Sequence, residues 1–491
     1  MAGIFKIIGY SALSVIIIFI AIVIYRGISA RKMSDLQPWH NIPQLEDNLT
    51  QASYNDFSEY LAAESQFLDT IQDHVSIDET SSYNRYARNN KSSPYVDGEN
   101  LNASFEFLPD GEEVKGGILL VHGLTDSPYH LRAIGRVFSD SGFYVIGLRL
   151  PGHGSVPGGL LEVTWRDWYS AVKFGARMVL KKIENRSDRK FYVGGFSTGG
   201  ALTLRYFLET SSEKLRVSSV ENHRVPDKLL LISPAIGVDP FADVLDLHQI
   251  ISWMPWFKKF KWLDLKPEYD PFKYNSFAKN AGDQIYDLTK ANEKLIKEIA
   301  RDETIRDKLH PIYAFQSRVD ATVKTDKLVD MFEKIASKES ELLLFDINRL
   351  AETIISEDVK EDSLLHSQTI KNLVAKVWVV SNKPKADGHG YESGIVIKMV
   401  SELPDKVTDA ERKFDKLDSL AWPENVFALS HVCIPISPDD RFYGRNSKLG
   451  GINAKGEKKV LLIGDDLARL RYNPFFELIK KRLVVSFVRS T

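Results

Sequence analysis

The sequence predicts an α/β fold built on a largely parallel sheet, and three observations carry that expectation. Short apolar runs recur through the middle of the chain, helix-patterned stretches separate them, and one run passes through glycines straight into a helix. Strands that are apolar along their whole length are those covered by helices on both faces. The runs are "GGILLVHG" (116–123), "FYVIGLRL" (143–150), "FYVGGFS" (191–197), "KLLLISPA" (228–235), "HPIYAFQS" (310–317) and "ELLLFDI" (341–347). Between them, "YHLRAIGRVFSDSG" and "WRDWYSAVKFGARMVLKKI" have helical texture.

Bulk properties narrow the function. A chain of 491 residues, 43% hydrophobic and 26% charged, can bury a large core. A net charge of -2, with no basic cluster interleaved with aromatics, gives no case for nucleic acid. The single cysteine, Cys433, excludes an internal disulfide and a cysteine-based zinc site. No internal repeat is visible.

Taken in order, residues 1–32 read as an N-terminal transmembrane anchor and its flanks. Residues 7–25 are uncharged and bracketed by Lys6 and Arg26; as a helix they would span about 28 Å, close to a bilayer's hydrocarbon core. A cleaved signal peptide fits less well, since the apolar run is long and "GISA" puts bulky Ile28 where cleavage wants a small residue. Arg26, Arg31 and Lys32 after the span, against Lys6 and the terminal amine before it, lean towards a cytoplasmic body. Residues 33–100 read as a tether and an amphipathic helix, with Phe57, Leu61, Phe67, Leu68 and Ile71 near helical spacing. Residues 101–237 form the first part of the core and 309–347 the second. Two segments interrupt it, neither expected in the sheet. One is a cap at 238–308, helical and rich in aromatics; the other is an insertion of unknown role at 348–424, holding a hairpin from Lys376 to Val400. Residues 425–491 form the third part and a tail with a strand-like "KVLLIGD" and a basic helix "FELIKKRL".

The chemistry centres on "GGFSTGG". Gly195-Phe196-Ser197-Thr198-Gly199 matches G-x-S-x-G at a strand's C-terminal end, with a helix opening after it. Glycines at 195 and 199 let the backbone turn sharply and leave Ser197 strained above the sheet. The helix beginning at Thr198 aims its N-terminal dipole and free N–H groups at the same spot. A plain strand-to-helix turn is the structural alternative. A serine hydroxyl is a weak nucleophile; it needs a histidine base, oriented by an acid, and two N–H donors for the oxyanion. Thr198 N–H is one candidate donor. Leu124 N–H, after His122-Gly123 in "LLVHGLTDSP", is the other. His122 then reads as a loop-fastening residue, as does His153 in "PGHG".

Together, "VHGLTDSP", "RLPGHGSVP", the W-x-x-W helix start at Trp165 and "GFSTGG" resemble the α/β-hydrolase-fold serine hydrolases, near the monoacylglycerol lipase and bacterial carboxylesterase (serine aminopeptidase S33-like) group. The resemblance covers roughly residues 101–347 and a segment near 425–445. It implies an acid after the next-to-last strand, where "HPIYAFQSRVDATV" offers Asp320; a helix N-cap is that residue's structural alternative. It implies a base shortly after the last strand, but "NRLAETIISED" follows "ELLLFDI" and holds no histidine. The C-terminal candidates are His366, His389 and His431. His431, in "NVFALSHVCIPISPDD", has the S-H-V texture of the family's base, and the insertion at 348–424 would explain its distance.

The resulting expectation is a Ser197–His431–Asp320 triad with Leu124 and Thr198 as oxyanion donors. It would cleave acylglycerols, lysophospholipids or similar acyl esters without metal or organic cofactor. A thioesterase or acyltransferase would use the same triad, and an inactive scaffold serving as a membrane-tethered interaction protein is the rival of another class. Trp253, Met254, Trp256, Phe257 and Trp262 in the cap would line an acyl pocket, dip towards lipid, or simply pack the cap; Lys258, Lys259 and Lys261 among them suit an anionic interface.

Overall fold

The computed structural model describes residues 33–41, 54–75, 84–87, 90–109, 111, 113–212, 224–238, 255–351, 368–399, 420–423, 426–446 and 471–489, with scattered positions from 10 to 28. Nine strands among the described residues form one sheet: β1 (Phe105–Phe107), β2 (Gly116–Val121), β3 (Phe143–Leu148), β4 (Lys190–Phe196), β5 (Lys228–Ile232), β6 (Ile312–Ser317), β7 (Glu341–Phe345), β8 (Lys376–Pro384) and β9 (Tyr391–Met399). Their spatial order is β9-β8-β7-β6-β5-β4-β2-β3-β1, parallel except at the two ends. All six expected runs are strands. Val121 pairs with Gly195, Phe196 with Ile232, and Ser317 with Phe345, so the parallel strands end in register. The loops after β2, β4, β6 and β7 therefore emerge along one edge, where a site can form.

Each apolar strand divides its side chains between two cores. Leu119, Val121, Ile146, Val193, Leu231, Ala314 and Leu344 face a helical layer of α1 (Phe57–Val75), α2 (Trp165–Lys182), α3 (Thr198–Ser211), α4 (Lys279–Arg301) and α5 (Thr325–Ile335). Ile118, Leu120, Val145, Leu230, Phe315 and Phe345 face the other way, onto α6 (Arg132–Ser139) and α7 (Phe476–Leu483). Burying such a side chain stabilises by about 1.5–3 kcal/mol, so a sheet left bare on either face would not stand. α1 is also pinned by a polar group. Glu64, fully buried, accepts from Arg149 Nε at 2.8 Å, from Tyr60 Oη at 2.8 Å and from Ser104 N–H at 2.6 Å.

Three expectations need correction. The hairpin of the insertion does not stand apart from the sheet: β8 pairs in parallel with β7 from Lys376 to Val380, and Val380, Ile395 and Ile397 join the second core. Nor is the stretch 238–308 a cap throughout, because α4 lies in the first helical layer, burying Ile285, Leu288, Leu295 and Ile299 there. The C-terminal helix, expected only as a tail, covers the second face; Tyr192 Oη donates to Phe487 O at 2.9 Å. "KVLLIGD" falls outside the described residues.

Most of the expected membrane span at 7–25 also falls outside the described residues. Those described there, Tyr10, Ser11, Leu13, Ser14, Ile17 and Ala21, are helical and exposed. Among the described residues no helix is long and apolar enough to cross a membrane.

Candidate active site

Ser197 sits between β4 and α3 with φ 54° and ψ −117°, a conformation a residue with a Cβ rarely holds and one costing on the order of 1–3 kcal/mol. Three hydrogen bonds hold it there: Ser197 N–H to Ile232 O at 3.0 Å, Ala235 N–H to Ser197 O at 3.0 Å, and Ala201 N–H to Ser197 O at 3.2 Å. The flanking glycines are obligatory. A Cβ on Gly195 would lie 2.2 Å from Gly199 C, and one on Gly199 would lie 2.0 Å from Val121 O. The strand, the helix and the neighbouring strand meet too closely for any other residue, and the bend lifts Ser197 to the edge of the sheet, where it is 8% exposed.

The turn after β2 backs directly onto this bend. A Cβ on Gly123 would lie 3.0 Å from Ser197 Cβ, which puts Leu124 one residue away from that contact. Thr198 opens α3, so its N–H has no acceptor four residues back within the helix. Of the two expected oxyanion donors, Leu124 follows the glycine packed on Ser197 and Thr198 follows Ser197 in the chain. The turn is gripped from outside as well: Thr125, at φ 63°, accepts from Tyr274 N–H at 2.8 Å, and buried Asp126 pairs with Lys273 Nζ at 2.6 Å.

His122 and His153 are fasteners, as expected. His122 Nδ1 bonds Gly123 O at 2.9 Å and Nε2 accepts from Leu150 N–H at 3.0 Å, which fixes a neutral tautomer. Burial, with His153 beside it, holds the His122 pKa well below the ordinary histidine value; burial likewise lowers that of His153 to about 4. Neither is free to serve as a base.

The acid and the expected base meet at the end of β6. Asp320 Oδ2 and His431 Nδ1 are 2.7 Å apart, both side chains buried. Asp320 Oδ1 accepts from Thr322 N–H at 2.8 Å and Val323 N–H at 3.0 Å, and Oδ2 also accepts from Gln316 Nε2 at 3.0 Å. Asp320 is not the N-cap of α5, a position held by Lys324; its carboxylate caps the turn before that helix. The His431 ring lies 5.0 Å, centroid to centroid, from Phe196, the residue before Ser197.

His431 is the member of this set that depends on distant parts of the chain. Just after β7, Asn348 N–H donates to Phe427 O at 2.7 Å and its side chain to Val426 O at 2.9 Å. Asn348 Oδ1 accepts from Asn382, and Asn382 Oδ1 accepts from Arg349 N–H at 2.7 Å. The histidine segment is thereby tied to the strand end from which the insertion departs. On the far side of His431, Asn473 N–H donates to Ile436 O at 2.9 Å and Asn473 Nδ2 to Ile434 O at 3.2 Å. The segment beyond it is wedged by Asp440, which accepts from Tyr129 Oη, and by Tyr443 Oη donating to Asp270.

Of the alternative bases, His389 sits in an exposed hairpin turn and His366 falls outside the described residues. Of the cap aromatics, Trp262 is buried, with its ring 4.9 Å from His40, and Trp253 and Met254 fall outside the described residues. Lys259 reaches Asp35 and Met33 O, tying the cap to the segment after the expected anchor. Sequence reasoning missed Gln316, Asn348, Asn473 and the Lys273–Asp126 pair. Only Asn348 left a signal, standing where the family's pattern leads one to look for the base.

Residues 112–346 match the family of serine aminopeptidase, S33. The chain is 33% identical over 88 residues to the thermostable monoacylglycerol lipase of Bacillus sp. (strain H-257), a stretch covering 18% of this chain and 33% of that lipase. The match thus spans about a third of that relative's length. Similar solved structures include a Paleococcus ferrophilus monoacylglycerol lipase (18% identity, TM-score 0.34, covering 49% of this chain and 87% of that one). A soluble variant of a Saccharomyces cerevisiae monoglyceride lipase, solved with a substrate analogue, is another (18%, 0.36, 49% and 81%). With the S33 match at residues 112–346, a mostly parallel sheet and a G-x-S-x-G turn from strand to helix, the chain has the α/β-hydrolase fold and resembles the serine hydrolases of the monoacylglycerol lipase and carboxylesterase group.

Proposed function

We propose that this chain is a serine ester hydrolase that cleaves acyl esters through Ser197, His431 and Asp320. Ser197 Oγ attacks the ester carbonyl carbon while His431 Nε2 takes its proton. The C=O electron pair moves onto oxygen, where Leu124 and Thr198 N–H groups stabilise the charge. The oxyanion collapses, the C–O bond to the alcohol breaks, and the alcohol leaves with the proton from His431. Water, deprotonated by the same imidazole, then releases the acid and regenerates Ser197. Asp320 accepts from Nδ1, keeping Nε2 directed to the reaction and stabilising the imidazolium. One observation carries the reading: a buried Asp320–His431 hydrogen bond of 2.7 Å whose imidazole packs against the residue preceding a strained serine.

The substrates favoured are acylglycerols, lysophospholipids or similar esters, in keeping with the relatives named above. We read residues 7–25 as a single-pass anchor with the body on the cytoplasmic side. The uncharged run supports the anchor, as does the exposure of Leu13 (53%) and Ile17 (57%), apolar helical residues left uncovered by the protein.

The test is hydrolysis of a chain-length series of p-nitrophenyl esters by the full-length protein in detergent micelles. It is expected to act on several, with activity rising towards longer acyl chains, and to be labelled by a fluorophosphonate. Ser197→Ala should lose both by at least about a thousandfold. A wild type that neither turns over nor labels, or a Ser197→Ala that labels equally, overturns the reading. His431→Ala with unimpaired hydrolysis would transfer the base elsewhere.

A further inference from the structure

Gln316 lies on β6, four residues before Asp320, fully buried in the sheet. Its Nε2 donates to Asp320 Oδ2 at 3.0 Å, the same oxygen that faces His431 Nδ1, and also approaches Thr325 Oγ1 at 3.3 Å. Its Oε1 is buried too and finds no hydrogen-bond partner. A buried amide that leaves its carbonyl unsatisfied costs free energy that an apolar residue of similar shape would not. Thr322 and Val323 N–H groups already hold Oδ1, so Asp320 does not need Gln316 merely to be hydrogen-bonded. What Gln316 adds is a second donor on the oxygen that serves the imidazole.

We infer that Gln316 is a positioning residue: resting on the triad proposed above, it fixes the plane of the Asp320 carboxylate and restrains how strongly Oδ2 attracts the His431 imidazolium. The carboxylate has two distinct oxygens, one for the backbone turn and one for histidine, and rotation about its Cβ–Cγ bond would exchange them. The Gln316 amide blocks that rotation. By sharing Oδ2 it also draws charge from that oxygen, so the imidazolium is stabilised less than by an unshared carboxylate. Several charged or titratable groups on neighbouring elements are engaged elsewhere. Arg318 and Arg349 hold Asp346 at 2.9 and 3.0 Å, Lys273 holds Asp126, and His122 is kept neutral.

The experiment is the pH dependence of kcat/KM for p-nitrophenyl butyrate with the full-length protein and two variants, Gln316→Met and Gln316→Glu. In Gln316→Met the donor is gone at nearly constant volume. Its kcat is expected to fall about tenfold with KM within about twofold, and its acid limb to move up by about half a pH unit. In Gln316→Glu the two carboxyl groups share one proton, which supplies a donor to Oδ2. The limb then stays near its wild-type position, and activity falls on the alkaline side as the shared proton leaves. A limb unmoved in Gln316→Met, whether or not kcat falls, overturns the inference and leaves Gln316 a packing residue. Should Gln316→Met not fold, the profile of the near-isosteric Gln316→Glu decides alone: the wild-type shape overturns the inference. These results are separate from the fate of the triad, which Ser197→Ala and wild-type hydrolysis test independently.

Discussion

The Ser197 turn and the His431 corner are two halves of one candidate site, and they are held in place in opposite ways. The first is local. Seven residues from Gly194 to Gly200 join one strand to one helix, and the main restraint is steric, since a Cβ on Gly195 or Gly199 would meet backbone atoms at 2.2 and 2.0 Å. The second is assembled. His431 reaches Asp320 from 111 residues away, and what holds it is hydrogen bonds from Asn348 at the end of β7 and from Asn473 before α7. A turn fixed by exclusion tolerates no substitution but is insensitive to distant change. A corner fixed by directional bonds tolerates substitution in degrees, and registers events in the insertion and the tail.

That contrast can be broken most severely at Gly199. Gly199→Ala forces a methyl carbon to 2.0 Å from Val121 O and 2.5 Å from His122 O, both backbone atoms that cannot step aside. We expect a loss of about 3 kcal/mol in chemical denaturation and no fluorophosphonate labelling, whereas Gly394→Ala, with open space around it, should change neither. A folded, labelled Gly199→Ala would mean that the turn is not sterically fixed. The histidine corner should give way more gently. Asn348→Ala and Asn473→Ala each remove one side-chain tie, costing about 1 kcal/mol of stability. Both should lower kcat/KM about 10- to 100-fold because the proposed base, His431, drifts. Activity unaffected in both would show that the ties do not position His431.

The same contrast explains what could be read in the sequence. The six central strands and the Ser197 turn are encoded in runs of eight or fewer residues, where apolar continuity and glycine spacing are sufficient signals. Asp320 was legible because its loop follows its strand immediately. His431 could be found only by the S-H-V texture around it, since no periodicity reports that Asn348 will bind Phe427. The hairpin was recognised but misplaced for a related reason. Alternation in "KVWVVSNKP" identifies a strand, whereas pairing of β8 with β7 is a property of two segments, and nothing within either names the other. α4 read as cap because an amphipathic helix has the same pattern whether it covers a sheet or a site.

On the other side of the Ser197 strand from His431 lies the turn bearing Leu124, packed against Ser197 and held by a charge pair. Burial works to raise the Asp126 carboxyl, the Lys273 ammonium works against it, and the net result is a pKa below the ordinary value. Lys273→Met leaves that carboxylate buried and unpaired. We expect about 2 kcal/mol of lost stability, below the figure for a wholly buried pair because the Lys273 side chain is 31% exposed. We also expect kcat to fall about tenfold with KM little changed, as suits a group bracing the proposed oxyanion donor, Leu124. Lys273→Arg should recover most of the rate. Equal losses in kcat and stability for both variants would reduce the pair to a structural brace.

The smallest expected effect tests whether long-range assembly extends to the N-terminal segment. His40 is buried against Trp262 and bonds Ser276 Oγ at 3.1 Å, 236 residues away. Burial lowers its pKa from 6.5 to about 4. Between those values the unfolded chain binds a proton that the folded chain does not, so stability rises with pH and is lost as pH falls from about 6.5 to 4. His40→Gln removes the titration along with the hydrogen bond. At pH 7 the variant should be about 1 kcal/mol less stable. Its stability should then decline less steeply on acidification, by up to about 1.4 kcal/mol per pH unit at full proton uptake, so the two curves converge and cross. His153, lowered to about 4 by the same cause, leaves a residual slope in both proteins. Parallel curves in urea titrations from pH 7 to pH 4 would mean that His40 is not buried in solution, and that the segment bearing it does not dock on the body as Ser276 and Trp262 require.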